Sequence, residues 1–85
     1  MSRDYRVLID FEALDSLPRT GKRRTDIISF LRSLGTHAYQ GGDFQLRDAQ
    51  TQRIFEVTVL RGYAITWWID APVNEVKVID IRHSK

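Results

Sequence analysis

Phe55-Glu56-Val57-Thr58-Val59-Leu60-Arg61-Gly62-Tyr63-Ala64-Ile65-Thr66-Trp67 carries two runs of alternating apolar and polar residues around Arg61-Gly62. A period of two places alternate side chains on opposite faces, so each run reads as a strand with one buried face. The Arg-Gly pair between them predicts a tight antiparallel turn. The second run continues through Trp67 and Ile69, and Ala71-Pro72-Val73-Asn74 predicts another turn. A last strand follows from Glu75 to Arg82, with Val76 and Val78 opposed to Ile79 and Ile81, a pattern that predicts partial cover on both faces.

Upstream of the polar turn at residues 48–52, Phe44 and Leu46 predict a short additional strand, and the Gly41-Gly42 pair closes a loop over 36–42. Before that loop the period changes. Ile27, Leu31 and Leu34 recur at helical spacing, with Ile28 and Phe30 widening the stripe, and predict a helix over 22–34. Gly35 is read as its left-handed stop. Asp10 is read as the cap of a shorter helix over 11–17, with Ala13, Leu14 and Leu17 on one face. Tyr5 to Asp10, apolar at its centre, predicts a first strand that joins the sheet beside a later one. Helices followed by strands imply an α+β fold: two N-terminal helices packed on one face of a small, mainly antiparallel sheet, in the order β-α-α-β-β-β. On that reading Trp67 is core. The open face carries Glu56, Thr58, Ala64, Thr66 and Trp68.

A chain of 85 residues supports one hydrophobic core, and the whole of 1–85 is expected to be a single domain. There is no cysteine, which excludes disulfides and thiolate metal sites, and the two histidines have no ligand spacing. Neither a metal nor a cofactor is expected. No run approaches the about 20 apolar residues of a membrane span, and the N-terminus has no signal-like apolar run, so the expected location is the cytoplasm. The net charge is +2, and the surplus lies in residues 1–42, with seven Lys/Arg against five Asp/Glu. Ten of the thirteen basic residues are arginine, which suits phosphate contacts. Arg19, Lys22, Arg23 and Arg24 crowd the start of the longer helix, where the macrodipole disfavours cations, and they mark a candidate partner-binding surface.

The stretch from Arg53 to Ile65, followed by Trp67, Ile69-Asp70 and Val76 to His83, resembles the C-terminal half of RelE/ParE-superfamily toxins, and the N-terminal strand and two helices fit the same pattern. The resemblance implies the toxin of a toxin–antitoxin pair, with a cognate antitoxin as partner. It also implies one of two activities. RelE-like members cleave messenger RNA on the ribosome without a metal; ParE-like members inhibit DNA gyrase with no catalytic site.

For cleavage, His83 and Glu56 are the acid–base candidates. Arg61, Arg82, Lys85 and Arg53 are candidates for phosphate, and Trp68 for stacking on a base. The arginine that usually follows the family's Gly-Tyr pair is Ala64 here, and Glu56 and Thr58 stand where lysines are expected. A non-catalytic binding protein is therefore the alternative.

Overall fold

The computed structural model describes residues 4–84. Its elements are β1 (Arg6–Ile9), α1 (Phe11–Asp15), α2 (Gly21–Thr36), β2 (Phe44–Arg47), β3 (Ile54–Leu60), β4 (Tyr63–Asp70) and β5 (Glu75–His83), with a single 3-10 turn at Ala71–Val73. The five strands form one sheet in the order β1-β5-β4-β3-β2. β2 to β5 are an antiparallel meander, and β1 lies parallel to β5, Val7 beside Val76. The α+β class and the helix-on-sheet arrangement expected above are those observed, and the short strand expected at Phe44 and Leu46 is β2, the first strand of a four-stranded meander.

Asp10 caps α1 by accepting the Glu12 N–H at 3.1 Å. The helix stops at Asp15, short of the expected Leu17, and Leu14 stays 40% exposed, so only Ala13 and Leu17 reach the core. α2 runs past its expected end. Gly35 lies inside it at an ordinary helical φ, so its reason is close approach rather than a left-handed stop. A Cβ there would stand 3.0 Å from the Tyr5 carbonyl oxygen, and the Tyr5 N–H donates to the Gly35 carbonyl at 2.8 Å. The missing side chain thus lets the helix end seat directly on the chain entering β1.

The core lies between α2 and the sheet. Ile27, Leu31 and Leu34 pack with Ile65, Trp67, Val76, Val78 and Ile81, all of them buried. Trp67 is fully enclosed, with Phe30 edge-on to its ring at 5.5 Å, and its indole N–H has no hydrogen-bond partner.

Two expectations about the faces are corrected by register. Ile65 pairs with Ile81 and Trp67 with Val78, leaving an extra residue in β5 between those pairs. This β-bulge resets the phase, so Val78 and Ile81 share the core face while Ile79 is 40% exposed on the other side. In β3, Glu56 pairs with Trp67 and Thr58 with Ile65. Both therefore lie on the helix side of the sheet. The open face carries Phe55, Val57 and Val59 beside Ala64, Thr66 and Trp68, and β2 adds Phe44 and Leu46, each 50% exposed. It is a more apolar face than expected.

Candidate functional site

Arg61 and Gly62 have φ of 53° and 80°, the two positive values of a type I′ hairpin turn. That turn sets Tyr63 opposite Leu60 at the start of β4, and the antiparallel pairing of β4 with β5 places His83 opposite Tyr63 on the other side. The rings meet edge to face with centroids 5.0 Å apart. Beyond the strand, the Ser84 N–H and hydroxyl both donate to the Gly62 carbonyl, at 2.8 and 3.0 Å, and hold His83 in register. The first turn of α2 completes the corner: the Arg23 guanidinium lies 6.0 Å from the centre of the Tyr63 ring. Arg61 donates to the Asp26 carboxylate at 2.6 Å. The imidazole, the phenol and the Arg23 guanidinium thus gather where the positive end of α2 reaches the sheet, and the Arg61–Asp26 ion pair ties the adjoining turn to the same helix.

The remaining candidates are dispersed. Arg82 lies on the opposite face beside Ala64, gripped by Asp80 at 2.6 Å, an ion pair that holds its guanidinium above the usual pKa range. Arg53 sits 3.8 Å above the Trp68 ring and Lys77 is 5.1 Å from it, so the indole already carries cations where stacking on a base was expected. The Lys77 ammonium is raised above its ordinary pKa, first by its hydrogen bond to Asp70. Arg24 donates to the Pro18 carbonyl at 3.0 Å, while Arg19 and Lys22 project to solvent. Lys85 lies outside the described residues.

Glu56 is committed elsewhere. Its carboxylate accepts the Gly42 N–H at 2.8 Å and the Gln45 side-chain amide at 2.7 Å, one oxygen tying the loop before β2 and the other β2 itself to β3. His83 aligns through Tyr63 with Leu60 on β3, four residues beyond Glu56. At about 3.3 Å per residue and about 4.8 Å per strand, the two groups are separated by about 13 Å along the sheet and about 10 Å across it. They are not a hydrogen-bonded acid–base pair. Tyr63 and Asp26 were absent from the sequence-based candidates, since the Tyr63–His83 pairing follows from cross-strand register and the Asp26–Arg61 pairing from helix docking.

The element order, with the first strand parallel to the last and two helices on one face, defines a RelE-type α+β fold. A chain in the crystal structure of the archaeal RelE–RelB complex from Pyrococcus horikoshii OT3 is similar to this one, with a TM-score of 0.76 and 14% sequence identity, over 95% of this chain and 96% of that chain. No protein-family model matches the sequence, and a search of curated proteins finds no significant match.

Proposed function

We propose that this chain is the toxin of a toxin–antitoxin pair and cleaves messenger RNA on the ribosome from the Tyr63–His83 corner. The observation that carries the reading is the packing of His83 on Tyr63, with Arg23 near the same ring and the Arg61–Asp26 pair between the adjoining turn and α2, at one end of the interior strands β4 and β5. RNA cleavage by side chains needs a base for the 2′-hydroxyl proton, an acid for the leaving 5′-oxygen, and positive charge on the phosphate. The ring nitrogens of His83 can accept or donate a proton. Arg23 and Arg61 are placed to neutralise the phosphate oxygens, and Asp26 orients Arg61. His83 takes the 2′-hydroxyl proton as the 2′-oxygen attacks phosphorus, the bond from phosphorus to the 5′-oxygen breaks as His83 returns a proton to that oxygen, and the product ends are a 2′,3′-cyclic phosphate and a 5′-hydroxyl. Glu56 has no part in this scheme. The similar archaeal chain was crystallised in a RelE–RelB complex, which supports an antitoxin partner for this chain.

The test is cleavage of messenger RNA by the purified protein with ribosomes. His83→Ala should lower the rate by about 10²–10⁴-fold, the usual contribution of a general acid or base. Glu56→Gln should leave it unchanged. Cleavage by the His83→Ala protein at the wild-type rate would overturn the proposal.

A second reading, a binding protein that inhibits DNA gyrase without catalysis, is favoured by Ala64 in place of an arginine and by the full use of Glu56 in the loop. It expects loss of gyrase supercoiling that survives His83→Ala.

A further inference from the structure

β2 ends the strand order, so among the described residues no strand covers its outer edge, and Phe44–Arg47 is exposed at every position. Open edges are commonly blunted with lysine or proline, and the run Asp43-Phe44-Gln45-Leu46-Arg47-Asp48 contains neither. Which backbone groups point outward follows from the ladder. The Asp48 N–H donates to the Arg53 carbonyl at 2.9 Å, and bonded pairs alternate along an antiparallel ladder. Leu46 and Phe44, opposite Phe55 and Val57, therefore use their N–H and C=O groups on β3. Gln45 and Arg47 direct theirs away from it.

The same run is complementary to itself. Laid antiparallel against a second copy with Gln45 at the two-fold axis, Asp43 of each chain falls opposite Arg47 of the other, and Phe44 opposite Leu46. The bonding phase agrees with this register: each Gln45 N–H meets the other chain's Gln45 carbonyl, and each Arg47 N–H meets the other chain's Asp43 carbonyl. Phe44 and Leu46 then form the unbonded pairs, whose Cα atoms approach to about 4.5 Å and whose side chains pack most closely. Both are 50% exposed in the single chain. The Asp43 carboxylate spends one oxygen on the Val59 N–H at 2.8 Å, and the Arg47 guanidinium one nitrogen on Gln52 at 3.3 Å, so each keeps a side for the other chain. The neighbouring registers in the same bonding phase centre on Arg47 or on Asp43 and set like charges against each other, so charge selects one pairing. We propose that β2 pairs with β2 of a second copy, joining two five-stranded sheets into one across a two-fold axis. A contact of this length falls at the small end of protein interfaces, so the dimer is reversible. It lies beyond β3 from the Tyr63–His83 corner and stands or falls separately from RNA cleavage.

Sedimentation equilibrium of the unaltered chain from about 5 to about 500 µM should show a monomer–dimer equilibrium. Over the same range, amide hydrogen exchange should slow at Gln45 and Arg47, whose N–H groups gain partners, more than at Phe44 and Leu46. Gln45→Pro removes the N–H at the two-fold axis, one that β3 does not use, so the monomer should keep its circular dichroism while the dimer is lost. Arg47→Asp makes both charge pairs repulsive and should weaken association by at least about tenfold. Asp43→Arg should do the same, and an equimolar mixture of these two variants should recover a dimer, because opposite charges meet again at both ends. A chain that stays monomeric up to about 500 µM, a dimer that survives Gln45→Pro, or concentration-dependent protection at Arg6–Ile9 in place of β2 would overturn the proposal. The first and last of these use the unaltered chain and decide the matter even if a variant folds poorly.

Discussion

Gly42→Ala tests whether the loop before β2 is held by backbone approach. A Cβ at this position would lie 2.6, 2.8 and 2.9 Å from the carbonyl oxygen, nitrogen and carbonyl carbon of Val57. All three are strand backbone, so no flexible side chain can yield; the loop must lift. Lifting stretches the Gly42 N–H bond to Glu56 and the Asp43 N–H bond to the Val57 carbonyl, each 2.8 Å. Overpacking of this kind costs about 1–3 kcal/mol. A bond to a charged acceptor contributes about 1.5–3 kcal/mol and a neutral one about 1, with the lower values appropriate at a half-exposed site.

The total has a ceiling. Every residue of β2 is exposed, so the chain can release β2 instead of unfolding, and the expected loss is about 2–3 kcal/mol. Gly41→Ala is the control: with φ at +79° and nothing within 4 Å of an added Cβ, it meets only backbone strain of about 1–2 kcal/mol. Urea unfolding followed by far-ultraviolet circular dichroism reports the global loss, and amide hydrogen exchange along Phe44–Arg47 reports release of β2. If Gly42→Ala proves no more costly than Gly41→Ala, or leaves β2 exchange unchanged, the close-approach argument fails.

The bulge in β5 makes two isoleucines two residues apart behave differently. Ile81→Ala, at 1% exposure, should cost about 2–5 kcal/mol, whereas Ile79→Ala, at 40%, should cost under about 1 kcal/mol; equal losses in denaturant would place the phase change elsewhere. Asp48 accepts the Gln50 N–H and the Thr51 hydroxyl, both at 3.0 Å, and these bonds, the backbone one first, hold its carboxyl below the usual aspartate range. Its contribution to stability is therefore present above the unfolded carboxylate pKa and is lost as pH falls through the lower folded value. A carboxyl-carbon NMR titration should show Asp48 protonating below the usual aspartate range, and Thr51→Ala should raise its midpoint; an unchanged midpoint refutes the assignment.

Local pattern carried most of the secondary structure. The twofold alternation of β4, the helical recurrence of Ile27, Leu31 and Leu34, the Asp10 cap and the Arg61-Gly62 turn are all consequences of neighbours a few residues apart, and all are observed. The resemblance to RelE-type toxins rested on that order of elements, and the same order underlies the structural likeness to the archaeal chain.

Register and contact lay beyond local pattern. Alternation in β3 shows that Phe55, Val57 and Val59 share a face, but which face meets α2 is set by pairing with β4, and that pairing put Glu56 beside Trp67. The extra residue in β5 reverses the expected phase of Ile79, a change invisible in a strand read alone. Gly35 has the composition of a helix stop, yet its role comes from the Tyr5 backbone, 30 positions earlier in the chain. The candidate site divides in the same way. His83 and the arginines were legible as chemistry, while their partition into one corner with Tyr63 and one opposite face with Ala64 was not. Residue type limits what a side chain can do; the partners it meets are set by long-range pairing, which a period of two or of 3.6 does not encode.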